Sequence, residues 1–471
     1  MAQLKNNKIL VLIDDYVMVR HFIANNTFAE IERSNKVLYV FNQDGERYDF
    51  KSNEIVQKKI NKRNIRYTHI PRKRTGHWFL LYIIHIFRQL RMNINKKNGK
   101  DHFKAIQDFQ IRAIGKRNVR LAKIAGLPLI YQITNFIFRL KLGIHEDIIQ
   151  LLEKEKPDLI IHPSFLKGYY VNEIFTAAPK YKIPLIILVN SWDNCCCKAF
   201  CTGSPDKLVV WGEQAKIHAQ QFLNMPKEKI ECFGAAQFEI YKNPPKETRE
   251  ELAKFFKVDP NKKILLYAGV SNSENDTLFL KMLEKGIKES KLPNCHVIYR
   301  PHPWRDVLKD EEEDFFSLNW DHISMDPTMI DFYRRVIKEP IGTMFLTDYS
   351  ISNKLMTLVD GVISPLSTML VEALIKGKPV LAFFPKTLKG DPLRLQFIHY
   401  KEFLELDETN SCFKKSDFVS SCEKLFDQIG DKSISKKLRR KSEFFVSNKV
   451  KSYGKQLEEL SSELISLQKQ Q

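Results

Sequence analysis

The chain has little of what marks most specialised protein classes. Its eight cysteines, at 195, 196, 197, 201, 232, 295, 412 and 422, keep no disulfide-like spacing. A chain of 471 residues needs no covalent staples, so a reducing cytoplasm is the expected compartment. Three adjacent cysteines lack the two-residue gap of a zinc-ligand pair and have no second pair to answer them, so no metal is expected. Glycine is sparse, at 18 residues, and no glycine-rich P-loop or dinucleotide fingerprint is present. No apolar run reaches the ~20 residues of a bilayer-spanning helix. The opening "MAQLKNNKILVLIDD" holds an apolar run of five residues that ends in two aspartates, which reads as a first strand and not as a signal peptide. There is no internal repeat and no low-complexity tract.

What is present is a globular composition, 43% hydrophobic and 28% charged, in a chain long enough for two or three domains. Lysine and arginine outnumber aspartate and glutamate by 75 to 56, a formal charge of +19. That surplus suits an anionic partner: phosphate-bearing substrates, an acidic membrane face or nucleic acid. It equally suits a solvated lysine-rich surface. No recognised nucleic-acid motif accompanies it, so nucleic acid ranks last among the partners. Two apolar runs, "HWFLLYIIHIF" (77–87) and "LPLIYQITNFIF" (127–138), are flanked by basic residues. Each is either a buried core helix or a monotopic membrane contact.

Strand and helix signals alternate twice along the chain. A first series has strands at 8–15 and 36–41, a mostly helical, basic and aromatic section over 60–145, and helix-to-strand passages ending near 164 and 190. A second runs from "PDKLVVWG" (205–212) through "KKILLYAG" (262–269) and "CHVIYRPHP" (295–303) to "VDGVISPLSTMLVEALIKGKPVLAFFP" (359–385). This grammar predicts two parallel, doubly wound α/β sheets. The expected domains are 1–200, 205–430 and a helical tail over 431–471.

In such sheets ligands bind at the carboxyl ends of strands. Ser364, Ser367 and Thr368 stand where a strand hands over to a helix, with Glu372 one turn further on. Hydroxyls at a helix start serve either a phosphate or the helix's own N-cap. In "YRPHPWRD" (299–306), His302 lies between two prolines, flanked by Arg300 and Arg305, and is suited to donate a hydrogen bond to phosphate or to sit idle in a surface loop. "YAGVSNSEND" (267–276) contributes Gly269 and Ser271 as a diphosphate-facing loop or an ordinary connection. On the first half, "VNSWDNCCCKAFC" (189–201) offers Asp193 as a base, Trp192 as a ring to stack on a sugar and Lys198 to face a leaving phosphate; turn chemistry at a hinge is the alternative. His162 ends a strand, and Asp14, Asp15, Arg20 and His21 follow the first one. These are candidates for acceptor contacts or a general base.

The combination resembles a GT-B glycosyltransferase, with two Rossmann-like domains facing a cleft and C-terminal helices. "RPHP" (300–303) together with "SPLSTMLVEALIKGKPV" (364–380) resembles the His-Pro and Ser/Thr elements of bacterial surface-polysaccharide transferases, including Kdo-transferase-like, polysialyltransferase-like and CDP-glycerol glycerophosphotransferase-like enzymes. "SWDN…K" and the stretch 205–241 are similar to glycosyltransferases of polysaccharide clusters. The likeness covers about 185–385 well and 1–184 only in general architecture. It implies that His302, Ser367 and Thr368 grip the donor phosphate and that Glu372 contacts the nucleotide ribose. It implies a nucleotide-sugar donor, a glycan or lipid-linked acceptor and no metal; the expected location is cytoplasmic, with the two basic-flanked apolar runs offering peripheral contact with the inner face of the cytoplasmic membrane as the alternative to core helices. "NCCCKAF" departs from the small polar residues and glycine usual in such proteins. Rival readings on the same scaffold are a CDP-polyol phosphotransferase and a UDP-sugar 2-epimerase-like enzyme.

Overall fold

The computed structural model describes residues 7–13, 16–42, 66–70, 76–93, 95, 116–164, 171–198, 203–269, 276–303, 313–338, 348–384, 387–388, 391–392 and 398–470. The chain divides into two compact units: Met1–Gln237 with Gln396–His399 and Phe445–Gln471, and Phe238–Leu395 with Tyr400–Phe444.

The first unit is built on seven parallel strands: β1 (Lys8–Ile13), β2 (Lys36–Asn42), β3 (Arg66–Ile70), β4 (Leu159–His162), β5 (Leu185–Leu188), β6 (Lys207–Val210) and β7 (Ile230–Cys232). Their order is β3-β2-β1-β4-β5-β6-β7. The central strand β1, KILVLI, is buried on both faces, as expected where helices cover both sides of a parallel sheet. It pairs Ile9 with Val37 on one side and with Leu159 on the other. β6 and β7, which the sequence places in the second series, are hydrogen-bonded into this sheet beside β5. β3 lies within the stretch read as mostly helical. It is an edge strand whose Arg66 is exposed and holds Glu155 at 2.9 Å, so it shows no long apolar run.

Helices of this unit are α1 (Tyr16–Met18), continued by a π turn (Val19–Ile23), α2 (Ala29–Ser34), α3 (Gly76–Asn93), α4 (Lys116–Ala125), α5 (Pro128–Leu142), α6 (Glu146–Glu155), α7 (Val171–Lys180) and α8 (Glu213–Phe222). α3 carries the first of the two apolar runs inside: Leu81, Ile83, Ile84, Ile86 and Phe87 are all buried.

The second unit has six parallel strands: β8 (Lys263–Ala268), β9 (Cys295–Arg300), β10 (Ile323–Met325), β11 (Gly361–Pro365), β12 (Val380–Phe383) and, after a short antiparallel hairpin of β13 (Thr387–Leu388) and β14 (Asp391–Pro392), β15 (Asn410–Cys412). The order is β10-β9-β8-β11-β12-β15. Its helices are α9 (Arg249–Phe256), α10 (Asp276–Lys288), α11 (Ile330–Lys338), α12 (Tyr349–Leu358), α13 (Thr368–Ile375), α14 (Lys401–Leu404), α15 (Phe418–Gln428) and α16 (Lys432–Phe445). α9 begins with a Thr248–Glu251 capping box, a start signal written in the sequence. The turn after α13 needs Gly377: its φ is +66°, and a Cβ there would meet Ser435 Oγ at 2.5 Å.

The last helix, α17 (Tyr453–Gln470), packs Tyr453, Leu457, Leu460 and Ile465 into the core of the first unit, against the face of β1 that Phe22 and Phe28 also cover. Among the described residues, no helix is long and apolar enough to cross a membrane.

Candidate functional site

In each sheet the chain builds outward one way and then returns to build the other way. The reversal falls between β1 and β4 in the first unit and between β8 and β11 in the second. The carboxyl ends of strands flanking such a reversal form the crevice where ligands sit in open α/β sheets. Most of the candidate residues stand at these two edges.

In the second unit Arg300 ends β9, next to β8. Its side chain is only 7% exposed, with Nε 3.5 Å from Asp326 Oδ2. Both Nη1 and Nη2 are buried without a hydrogen-bond partner. Asp326 follows β10 and is fully buried; its Oδ1 accepts from the Thr328 amide at 2.9 Å and hydroxyl at 2.7 Å. Asp326 therefore faces one edge of the guanidinium as an ion pair without a hydrogen bond, and the terminal fork is left to a further partner. An unpaired buried donor pair costs free energy, and a carboxylate or phosphate oxygen removes that cost.

Across β8, Ser364 donates to Ala268 O at 2.8 Å and pairs with Ser367 Oγ at 2.8 Å. The single Ser364 hydrogen is taken by the carbonyl, so Ser367 donates to Ser364. Ser364 is fully buried and Ser367 is the N-cap residue of α13, yet no side chain caps that helix. The hydroxyl pair thus does not serve as a cap. It ties the turn to the sheet and leaves first-turn N–H groups of α13 open, with the positive end of the helix dipole behind them. Thr368 opens the helix and is half-buried. His302, also half-buried, lies just beyond β9. β9 and β11 flank β8, so their exits are two ladder steps apart, about 10 Å.

Two of the expected donor contacts are otherwise engaged. Gly269 donates its N–H to Arg300 O at 3.0 Å, so that amide is not open to a phosphate. Its lack of a side chain is explained by Asp276, whose Oδ2 would lie 2.4 Å from a Cβ. Asp276 is itself fully buried and held by the hydroxyls of Tyr267 and Tyr299 at 3.2 and 3.0 Å. Ser364 likewise positions the turn, its hydrogen being spent on Ala268. Glu372 is buried on α13 and accepts a hydrogen bond from the Tyr241 hydroxyl. Burial first, and the Glu372 charge second, hold the Tyr241 hydroxyl well above the usual phenol range, while Arg300 pulls the other way. Tyr241 therefore stays a donor, and Arg300 lies within electrostatic reach of the pair. Ser271 falls outside the described residues.

The corresponding edge of the first unit has a different character. His162, the last residue of β4, is fully buried, and burial lowers its pKa from 6.5 to about 3. It is a neutral imidazole at physiological pH and too weak a base for the general-base role considered for it. Glu173, in the first turn of α7, is pushed up to about 7 by burial. His21, in the π turn, has its pKa lowered well below the ordinary value by burial and then by Arg20, against a hydrogen bond to the Asn190 backbone. After β5, Asn194 Oδ1 accepts from the Asn190 and Ser191 amides at 3.2 and 3.0 Å, closing the turn that carries Asp193. Asp193 is buried, 3.4 Å from Asn194 Nδ2.

Trp192 is not an open stacking ring. It is 2% exposed and packs edge-on against His399, at 4.8 Å between ring centres, and Phe445, at 5.8 Å. A strand-end indole here fills the core. Cys195 and Cys196 are buried in the π turn Asn194–Lys198. Asp14, Asp15 and the side chain of Lys198 fall outside the described residues.

Sequence reading missed Tyr241, Asp276 and Asp326. Asp326 had a signal, an acid immediately after a short strand. Tyr241 had none, because its partner lies far along the chain.

No protein-family model matches this chain, and no curated protein matches it. Among solved structures, a UDP-N-acetylglucosamine 2-epimerase from Rickettsia bellii is 14% identical, with 98% of each chain covered and a TM-score of 0.52. A glycosyltransferase from Rickettsia africae ESF-5 is 11% identical, covering 98% of this chain and 99% of that one, with a TM-score of 0.48. MurG from Acinetobacter baumannii is 10% identical over 97% and 99%, with a TM-score of 0.43. Two doubly wound parallel sheets, with the first of these likenesses spanning nearly all of both chains, give the expected GT-B fold class.

Proposed function

We propose that this chain is a glycosyltransferase that moves a sugar from a nucleotide-activated donor to a surface polysaccharide or lipid-linked glycan. The observation that carries the reading is the buried Arg300 guanidinium, its two terminal nitrogens unpaired, at the strand ends that also present the uncapped start of α13. Such a constellation binds a diphosphate. Arg300, His302, Thr368 and the α13 N–H groups hold the phosphates, Ser364 and Ser367 fix the turn, and Glu372, oriented by Tyr241, meets the ribose.

In the reaction the bond from the anomeric carbon to the phosphate oxygen breaks and a bond to an acceptor hydroxyl forms. The electron pair leaves with the nucleotide, and its developing charge is met by the same donors. Asp193 takes the acceptor proton. No resident metal is needed on this reading, so a chelator leaves turnover unchanged.

The test is calorimetric titration with UDP, CDP, CMP and GDP, followed by assay of nucleotide release with and without glycan acceptors. Binding of one nucleotide, and acceptor-dependent release of the nucleotide of a sugar donor, are expected. Failure of all four nucleotides to bind overturns the reading. The Rickettsia bellii structure is named as a UDP-N-acetylglucosamine 2-epimerase, and epimerisation stands as the second reading. It shows as conversion of UDP-N-acetylglucosamine without any acceptor, followed by NMR. Release of CMP from a CDP-polyol marks the phosphotransferase alternative.

A further inference from the structure

Of the two apolar runs in the basic section, one is inside and the other is out. α5 fixes one side to α3: the Tyr131 hydroxyl is 2.9 Å from His85 Nδ1, and Arg88 lies 5.6 Å from the Tyr131 ring centre. The turn into α5 is held close, since a Cβ on Gly126 would come within 3.2 Å of the Phe87 backbone. The opposite side of α5 carries Leu129, Ile130, Ile133, Phe136 and Ile137, all exposed, Leu129 at 69% and Phe136 at 64%. At 100° per residue these five fall in a stripe about 120° wide. On the adjoining α4, Leu121 and Ile124 are exposed at 58% and 54%. Soluble proteins rarely leave so many large apolar side chains in water on one face.

The charge around this face decides its partner. Segments 76–93 and 116–142 hold two and six lysines or arginines, eight together, and no aspartate or glutamate. Arg120 and Lys123 stand beside Leu121 and Ile124 on α4. Two copies meeting through this face bring the basic residues of α4 and α5 against their like. We infer that the exposed face of α4 and α5 docks on an anionic phospholipid bilayer, α5 lying in the interface with its apolar stripe among the acyl chains and the basic residues against the headgroups. This surface stands apart from the nucleotide reading and does not depend on it.

The test is co-sedimentation of the full chain with phosphatidylcholine vesicles and with vesicles containing about one-third phosphatidylglycerol. Binding to the anionic vesicles is expected, weakening as salt rises from about 50 to about 300 mM. The double variant Ile133→Asp/Phe136→Asp, at exposed positions, is expected to lose about tenfold or more of that partition with an unchanged circular dichroism melt. Arg120→Glu/Lys123→Glu is expected to lose about thirtyfold or more of the binding to anionic vesicles, at about 1 kcal/mol per basic residue removed. Wild-type failure to bind vesicles, or equal binding by Ile133→Asp/Phe136→Asp, overturns the proposal. So does a wild-type dimer in light scattering that the same double variant dissociates, which assigns the face to a second copy.

Discussion

At the carboxyl edge of the second sheet Arg300 keeps two unpaired buried nitrogens, and the helix that follows β11 keeps its start uncapped. At the same edge of the first sheet His162 is a neutral imidazole, with a pKa lowered to about 3, and Glu173 is a half-protonated acid near neutrality, pushed up to about 7. Both sheets are parallel and both reverse direction beside their first strand. The shared topology therefore supplies the crevice, and the side chains decide what it is for. One edge carries a buried cationic fork with two unpaired nitrogens, which suits an anion. The other is desolvated, with a neutral imidazole at His162 and a half-protonated acid at Glu173.

The sharpest way to break that contrast is at Arg300. Arg300→Lys keeps a positive charge for Asp326 but removes the planar fork, and is expected to lower turnover by about a hundredfold and weaken nucleotide binding correspondingly, by titration calorimetry. Arg300→Ala, which strands Asp326 as a lone buried charge, is expected to cost a further 3–5 kcal/mol or about that in urea unfolding. Unchanged nucleotide affinity in Arg300→Lys removes the anion site.

A paired comparison comes next. His302→Ala is expected to reduce both nucleotide affinity and turnover by about tenfold or more, the fold staying intact, whereas Asp193→Asn should abolish turnover by about two orders of magnitude and leave nucleotide affinity alone. Equal effects of both on nucleotide binding would show that the division of labour is wrong.

The first unit also carries a pH signature. Glu173 binds an extra proton in the folded state between its ordinary 4.5 and about 7, so it makes stability fall as pH rises through that window. His162 is deprotonated in the folded state between about 3 and 6.5, where the unfolded chain binds a proton, so it makes stability fall as pH drops through that window. From pH 4.5 to 6.5 the two slopes oppose. Glu173→Gln should expose the acid-side loss and His162→Asn the opposite slope, each shifting the melting temperature on the order of 5 °C across the window. Parallel pH profiles for wild type and both variants sink this account.

The smallest effect is expected at Ser367→Ala, within a few-fold in turnover, because its hydrogen points to Ser364 and not outward. A loss as large as that of Arg300→Lys, in the same assay, would mean that the hydroxyl turns to the ligand.

Much of the scaffold was legible because buried parallel strands leave short, nearly pure apolar runs: KILVLI, LIIH, LIIL, KILLYA. β3 was not, because an edge strand needs only half its residues apolar and Arg66 and Tyr67 face solvent. Strand-end reasoning pointed to Arg300, Ser364 and Ser367, which stand at the carboxyl edge of the second sheet, with Glu372 buried further along α13. It failed at Trp192, where an aromatic in a polar turn looked like a sugar platform and is core. It also could not tell which of two similar apolar runs is buried, since α3 and α5 differ in what packs against them and not in composition.

By itself the sequence determined the alternation of strands and helices, and with it the class of fold, because periodicity and apolar runs are local properties. It also placed hydroxyls and basic residues at strand ends. The tertiary structure alone decided which of those groups are spent, which are oriented and which are open: Gly269 on Arg300 and Ser364 on Ala268, Glu372 held by Tyr241, and the unpaired fork of Arg300. Hydrogen-bond satisfaction and desolvation depend on partners up to 131 residues apart in the chain, and no local pattern records them.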